Sequence, residues 1–199
     1  MTTWRAGVFA ILGGLMVMGV ISAPAAAEER QLVLAGGCFW CMQPPYDELE
    51  GVIDTEVGFA GGDVEDPTYQ EVVAGGTGHL EVVRVTYDAD IVDFEEMLDV
   101  FWRNIDPLDD GGQFCDRGAH YRAAIFVETE EERQLAESSR DSVTERFDES
   151  VVTEIRDSAT FYAAEEYHQD YYQKRPLRYR FYRSSCGRDG RLEELWGGS

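Results

Sequence analysis

Residues 32–41 are LVLAGGCFWC, a stretch that passes from an apolar run through two glycines to a cysteine and two aromatic residues. The apolar run predicts a buried strand, and the glycines free the backbone for a turn into a helix. Cys38 would stand at the helix N-terminus, where unpaired amide groups and the helix dipole favour a thiolate. Cys41, three residues later, is placed to trap an oxidised Cys38. The pattern is typical of a redox nucleophile beside an apolar pocket.

Residues 1–27 differ from the rest of the 199-residue chain. One charge, Arg5, precedes an apolar stretch over residues 7–21, and small residues close the segment. This pattern predicts a cleavable signal peptide and export, with a periplasm as the expected location. An uncleaved membrane anchor is the alternative, although a spanning helix needs about 20 apolar residues. Residues 28–199 are expected to form one domain, ending in a tail from about residue 174.

The composition is strongly acidic, with 39 Asp and Glu against 17 Lys and Arg. Nucleic acid is therefore not an expected partner, because phosphate contacts need a basic face. An even number of cysteines in an exported chain permits two structural disulfides. A domain of this size does not need them, and a CxxC loop is too short to stabilise much. A chemical role fits the Cys38 and Cys41 pair better.

The apolar patterns predict an α+β domain, a two-layer sandwich with a mixed or antiparallel, ferredoxin-like sheet and long loops. Strands are expected at residues 32–35, 52–59, 80–87, 122–127 and 151–155. Helices are expected at residues 38–49, 69–74, 93–104, 129–147 and 162–173. Pro44 and Pro45 should fall in the first turn of their helix or break it. The polar loop over residues 105–119 is long enough to suggest a functional role.

Other interpretations of the cysteines remain open from spacing alone. Cys38 could be a buried structural residue, since cysteine is among the most buried residue types. A zinc site would need Cys115, His120 or His79 as further ligands, and no second close pair has the usual spacing, so no metal is expected. A general thiol–disulfide oxidoreductase is the main rival, although thioredoxin-like proteins place a βαβ unit before the motif. A non-enzymatic binding module is the third reading.

Several polar side chains could serve a reactive cysteine. Glu81 opens a predicted strand, where it is either solvated or, in an apolar pocket, a proton donor with a raised pKa. Asp116 is either a turn residue or part of a site within the polar loop. Tyr69 and Tyr121, taken as lone tyrosines, are expected to be core aromatics. The histidines are expected to be structural or exposed, and the tyrosines between residues 162 and 172 are expected to pack along a helix.

Five motifs together resemble the A-type peptide methionine sulfoxide reductases in order and spacing. They are GCFW at 37–40, GFAGG at 58–62, PTY at 67–69, GHLE at 78–81, and DRG at 116–118 followed by Tyr121 and Arg122. The resemblance covers residues 31–172. It implies an enzyme that reduces methionine-S-sulfoxide, free or in oxidised proteins, and so repairs oxidative damage.

The resemblance also implies a role for individual side chains. Cys38 would attack the sulfoxide sulfur and become a sulfenic acid. Phe39 and Trp40 would hold the S-methyl group in an apolar pocket. Glu81 would protonate the sulfoxide oxygen, which is a poor leaving group without a proton. The same oxygen would accept from the hydroxyls of Tyr69 and Tyr121, and the Asp116 carboxyl group would act indirectly.

Recycling is where this chain departs from the simplest family pattern. Many relatives carry glycine where this chain has Cys41, and they resolve with a cysteine in a glycine-rich tail. Proximity favours Cys41 as the resolving thiol, and Cys186 in the tail is the competitor. Cys115 has no assigned role. The resemblance implies no bound cofactor and a thioredoxin-like dithiol as reductant, and a monomer is expected.

Overall fold

The computed structural model of the chain describes residues 1–2 and 28–197. The signal peptide predicted for residues 1–27 lies, apart from its first two residues, outside the described residues. No helix within the described ranges combines the length and the apolar character needed to cross a bilayer.

The described domain alternates strands and helices along the chain. In order, the elements are β1 (Glu29–Gly36), α1 (Phe39–Asp47), β2 (Val52–Ala60), α2 (Tyr69–Ala74), β3 (Leu80–Asp88), α3 (Phe94–Arg103), β4 (Gly112–Gln113), β5 (Asp116–Arg117), β6 (Ala123–Val127), α4 (Glu130–Thr144), β7 (Glu154–Asp157), β8 (Phe161–Ala163), α5 (Tyr171–Lys174), α6 (Pro176–Ser185) and α7 (Arg188–Trp196). A 3₁₀ turn covers Ala119–Tyr121.

Six strands form one sheet in the order β7-β6-β1-β3-β2-β8. Its neighbouring strands are antiparallel except β6 and β7, which run parallel. The predicted α+β class with a mixed sheet is confirmed. The long loop predicted over residues 105–119 contains the small hairpin of β4 and β5, which pairs separately.

The core lies mainly on one face of this sheet. Successive side chains of β1 point to opposite faces of the sheet. Leu32 and Leu34 belong to the main hydrophobic cluster, and Ala35 belongs to a smaller cluster on the other face. Helix α1 packs on β2 and β3, and α4 packs on β6. This packing holds the start of α1 against β3, which decides where the site forms.

Helix α3 shows how local sequence sets a buried face. Its buried residues recur at helical spacing, at Phe94, Met97, Leu98, Phe101 and Trp102. The Asp93 side chain accepts from the amide of Glu96 at 2.8 Å and caps the first turn. Helix α4 likewise begins with a capping box between Thr129 and Glu132. Both predicted helix starts are confirmed.

Two expectations about helices are wrong. The segment 162–173 was expected to be helical, but Phe161–Ala163 is a strand that pairs with the edge of β2, and only Tyr171–Lys174 is helical there. The open edge of β2 supplies backbone partners that local periodicity does not reveal, and these override helix propensity. Pro44 and Pro45 were expected in the first turn of α1 or at its end. They lie beyond the first turn, and the helix continues for two residues after Pro45, to Asp47.

Candidate active site

Cys38 is the N-cap residue of α1, and the glycine before it makes the turn possible. Gly37 has a φ of +82°, and a Cβ atom there would lie 2.5 Å from the Cβ of Gln113. Only glycine suits this combination of backbone and neighbour. The amide of Cys41 donates to the carbonyl of Cys38 at 3.0 Å, so both cysteines belong to the first turn. They are 5% and 2% exposed, and neither is in a disulfide.

Glu81 brings a buried carboxyl group to the start of the same helix. It lies on β3 opposite Phe59 of β2, and it is 1% exposed. Its Oε2 accepts from the amide of Phe39 at 3.1 Å, whereas its buried Oε1 has no hydrogen-bond partner among the described residues. Burial raises the pKa of Glu81 to about 8. The carboxyl group therefore holds a proton at neutral pH and has a free oxygen.

A small cavity of about 60 Å³ unites the residues that the sequence singled out. Its lining contains every side chain predicted for catalysis or substrate binding, together with one that the sequence did not indicate. They are Cys38, Phe39, Trp40, Tyr69, Glu81, Asp116 and Tyr121, with Tyr182 as the addition. Residues from five separate parts of the chain thus converge on one cavity lined by aromatic rings, hydroxyls and carboxyl groups.

The Trp40 ring forms a fixed apolar wall of the cavity. It stacks on Tyr171 with ring centroids 3.8 Å apart and an angle of 8° between the planes. Its Nε1 donates to Nδ1 of His168 at 3.1 Å, and His168 is buried, so the expectation that this histidine is structural is confirmed. The ring centroids of Phe39 and His168 are 5.1 Å apart. Such close packing leaves a rigid surface suited to a small apolar group.

Two phenol groups face the carboxyl group across the cavity. Tyr69 begins α2, whose first turn is fixed by a capping box between Thr68 and Glu71. Tyr121 ends the 3₁₀ turn that leads into β6. Burial raises the pKa of Tyr69 to about 12 and raises the pKa of Tyr121 as well. Both hydroxyls therefore keep their protons at neutral pH and can donate hydrogen bonds.

The two free thiols have pKa values shifted in opposite directions. Burial raises the pKa of the Cys38 thiol well above its ordinary value, so the prediction that the helix N-terminus favours its thiolate is wrong here, because desolvation outweighs the helix dipole. The hydrogen bond with Cys38 lowers the pKa of Cys41 to about 7, and the guanidinium groups of Arg188 and Arg183 add to this lowering. The pair as a unit therefore releases its first proton near neutral pH.

The remaining two cysteines form a disulfide at the edge of the site. Cys115 lies in the turn between β4 and β5, Cys186 caps the end of α6, and their Cα atoms are 4.9 Å apart. The two sulfurs lie 3.8 and 3.9 Å from the carboxylate oxygens of Asp116. Cys115 had no role assigned from the sequence. A signal was available, because the CxxC motif accounts for Cys38 and Cys41 and leaves Cys115 and Cys186 as the one remaining pair.

The C-terminal helices also bring groups that sequence reasoning missed. Arg188 is 1% exposed, donates to the carbonyl of Gly36 at 3.2 Å, and lies 4.5 Å from the ring of Phe114. Tyr182 donates from its hydroxyl to Oδ2 of Asp116. One signal was available for Tyr182, because it precedes Cys186 by one helical turn and so shares its face of α6.

Comparison with known sequences gives a consistent result. The family described as peptide methionine sulfoxide reductase matches residues 30–199. The peptide methionine sulfoxide reductase MsrA of Bacillus licheniformis is 48% identical over 174 residues, which are 86% of this chain and 96% of that protein.

Solved structures share the fold. Methionine sulfoxide reductase A of Corynebacterium diphtheriae superposes with a TM-score of 0.67 and 31% identity, covering 75% of this chain and 76% of that one. Mxr1 of Saccharomyces cerevisiae, in its complex with Trx2, has a TM-score of 0.51 and 21% identity over 76% of this chain and 90% of that one. The second likeness concerns the fold alone.

Proposed function

The chain belongs to the peptide methionine sulfoxide reductase family, and we propose that Cys38 is its nucleophile and Glu81 its proton donor. The reaction is the reduction of methionine sulfoxide to methionine. One observation carries the assignment of roles: a buried, protonated carboxyl group with an unpartnered oxygen lines the same small cavity as the Cys38 sulfur. A carboxylic acid in that position can donate a proton where oxygen must leave.

The cavity lining suggests how the substrate is oriented. The S-methyl group would pack against Phe39 and Trp40, where the lining is apolar. The sulfoxide oxygen would then face Glu81 and the hydroxyls of Tyr69 and Tyr121. Because these donors and the apolar wall occupy different sides of a chiral sulfur, the arrangement favours one epimer. The S epimer is the proposed substrate, in line with one enzyme for each epimer.

The chemical step balances with the groups in the cavity. The Cys38 sulfur attacks as a thiolate and forms a sulfur–sulfur bond with the sulfoxide sulfur, while Glu81 transfers its proton to the sulfoxide oxygen. The hydroxyl group then moves from the substrate sulfur to the Cys38 sulfur as the sulfur–sulfur bond breaks. Methionine leaves, Cys38 is a sulfenic acid, and Glu81 is a carboxylate. The methionine sulfur gains two electrons, and the Cys38 sulfur loses two.

Cys41 is the proposed resolving thiol. Its sulfur shares a hydrogen bond with Cys38, and its pKa of about 7 gives a substantial thiolate fraction at neutral pH. Attack on the sulfenic acid would form a Cys38–Cys41 disulfide and release water. Cys186, the competing candidate, is bonded to Cys115 in the structure and would first have to be reduced.

A thioredoxin-like dithiol is the proposed reductant, with no bound cofactor. A Cys38–Cys41 disulfide formed in each turnover would need a dithiol to reduce it by exchange. Oxidised proteins and free methionine sulfoxide are the proposed substrates. A monomer is the proposed oligomeric state.

Export through the segment 1–27, with cleavage and a periplasmic location, is also part of the proposal. The Cys115–Cys186 disulfide supports it, because such bonds persist mainly in oxidising compartments. A dithiol protein on the same side of the membrane would then supply the electrons. Mass spectrometry of the protein purified from its own cells tests the location, since an N-terminus within residues 1–5 would contradict cleavage.

The function is tested by single-turnover kinetics with each sulfoxide epimer of a blocked methionine. Wild-type protein without reductant should release methionine from the S epimer alone and gain one Cys38–Cys41 disulfide. Mass spectrometry of the trapped protein identifies the bond. Release from the R epimer alone, or a new bond that excludes Cys38, would contradict the proposal.

A further inference from the structure

Tyr182 enters the cavity from the C-terminal side and links two of its groups. Its ring meets Trp40 edge-on with centroids 6.0 Å apart. Its hydroxyl donates to Oδ2 of Asp116, and the residue lines the same cavity as Cys38, where burial raises the pKa of that thiol and Tyr182 lowers it in part. Asp116 and Cys38 line the same cavity, and Tyr182 is a neighbour of both.

The disulfide explains why this hydroxyl is held in place. Helix α6 buries none of its own residues, and Leu177 and Phe181 are each 77% exposed. Packing of α6 therefore rests on half-buried side chains such as Tyr179 and Tyr182. Cys186, one turn after Tyr182, joins the helix to the β4–β5 turn beside Asp116. The bridge thus fixes the donor and the acceptor of one hydrogen bond relative to each other.

We propose that Tyr182 is a further catalytic residue of the sulfoxide reduction, a hydroxyl that passes the proton of Cys38 to Asp116 while the Cys115–Cys186 bridge holds it in position. This inference rests on the proposed function, because it concerns activation of the same nucleophile.

The proton transfer is balanced by two coupled shifts. The Cys38 thiol gives its proton to the Tyr182 oxygen as Tyr182 gives its own proton to Asp116. The products are a Cys38 thiolate, an intact tyrosine that now donates to that thiolate, and a neutral Asp116. Burial raises the pKa of Asp116, which suits it to accept a proton. Burial also raises the pKa of Cys38, so a nearby acceptor is needed.

Other charged and titratable groups surround this path and enter any pH profile. Cys38 faces the Cys41 thiol and the Glu81 carboxyl group, and Asp116 faces the side chains of Arg188 and His120. The remaining groups around the cysteine pair and the cavity are Arg183, Tyr179, Tyr69 and Tyr121. The test therefore compares variants that leave these groups in place, except Cys41, which is replaced in every protein of the series.

The experiment uses the full chain carrying Cys41→Ser, so that Cys38 is the only inner thiol. Tyr182→Phe is compared with Tyr172→Phe, a control whose hydroxyl bonds Asp47 outside the cavity. Two quantities are measured against pH: the rate of methionine release in one turnover, and the rate of Cys38 alkylation. Tyr182→Phe should slow methionine release about 10- to 100-fold, the effect of one hydrogen bond to a charged group. It should also move the alkylation midpoint to higher pH.

Two further variants distinguish the chemical effect of the Tyr182 hydroxyl from the effect of a changed site geometry. Difluorotyrosine at position 182 keeps the ring and makes a more acidic hydroxyl, so the alkylation midpoint should move to lower pH. Cys115→Ser with Cys186→Ser should move the midpoint in the direction of Tyr182→Phe by a smaller amount.

The outcomes distinguish this inference from the proposed function. If the Cys41→Ser parent releases no methionine, the function itself fails. If the parent is active and Tyr182→Phe matches Tyr172→Phe in rate and midpoint, the role of Tyr182 is overturned. A difluorotyrosine protein with an unchanged midpoint overturns it even if Tyr182→Phe does not fold. If the bridge variant has an unchanged alkylation midpoint, the Cys115–Cys186 bond does not position Tyr182, and that part of the inference is overturned.

Discussion

The two cysteine pairs differ in burial, bonding and the length of chain between their members. Cys38 and Cys41 are buried, unbonded and in one helical turn. Cys115 and Cys186 are bonded, less buried and 71 residues apart. A local turn suffices to join the inner pair, whereas only the complete fold joins the outer pair. The inner pair can therefore change its redox state without a change of fold, while the outer pair fastens the C-terminal helices to the site.

The largest expected effect separates the pairs by chemistry. Cys38→Ser should abolish methionine release in a single turnover, because a hydroxyl is not ionised in the way a thiol is and cannot form the sulfenic acid. Cys115→Ser, the matched change in the outer pair, should still release methionine. The measurement is methionine per enzyme by chromatography. Sulfoxide reduction that survives in Cys38→Ser would show that the nucleophile is another residue.

The second prediction concerns the acid that serves only the inner pair. Glu81→Gln should slow single-turnover reduction about 10²- to 10⁴-fold, the usual contribution of a general acid. Because burial raises the pKa of Glu81 to about 8 and only the protonated form donates, the wild-type rate should fall as pH rises through about 8. The variant should lack this fall. Glu56→Gln, which changes an ion-paired glutamate on β2, is the control. A wild-type rate that stays constant up to pH 10 would exclude Glu81 as the donor.

The third prediction concerns the free energy of unfolding, which should depend mainly on the outer pair. Removing the bridge with Cys115→Ser and Cys186→Ser should lower the free energy of unfolding by about 2–4 kcal/mol, because a cross-link over 71 residues restricts the unfolded chain. Urea unfolding without reductant measures the difference. Cys41→Ser, which places a hydroxyl at a buried position, should lower the midpoint by less than the bridge variant does. Equal midpoints for the bridge variant and the wild type would mean that the bond does not stabilise the fold.

The fourth and smallest effect concerns recycling. Cys41→Ser should still release one methionine per enzyme, but steady-state turnover with thioredoxin should fall about 10- to 100-fold, since the thiol beside the sulfenic acid is lost. Cys186→Ser should change turnover less. Coupled turnover assays with both variants decide between the two thiols. The reverse ranking would make Cys186 the resolving residue.

Local signals predicted much of the fold. The helix starts at Asp93 and Thr129 are fixed by side chains that bond amides three residues later, so a short window of sequence contains the whole cause. Strand β3 was likewise recognisable from its β-branched residues. Strand β8 was not, because its cause is the unpaired edge of β2, which lies about a hundred residues earlier in the chain.

The site divides in the same way. The motifs and their family resemblance predicted the cavity lining from Cys38 to Tyr121, and the structure places all of these side chains together. The Cys115–Cys186 bond and the insertion of Tyr182 were not predicted, because helical spacing shows which residues share a face but not what that face meets.

The sequence by itself determined that a thiol ends a buried strand, that a second thiol follows within one turn, and that acidic and phenolic groups accompany them. Those features depend on neighbours only a few residues away. The tertiary structure alone decided that Glu81 is buried against the amide of Phe39 and that α6 returns to close the cavity. Both depend on contacts between distant segments, whose free energies arise only when the whole domain has folded.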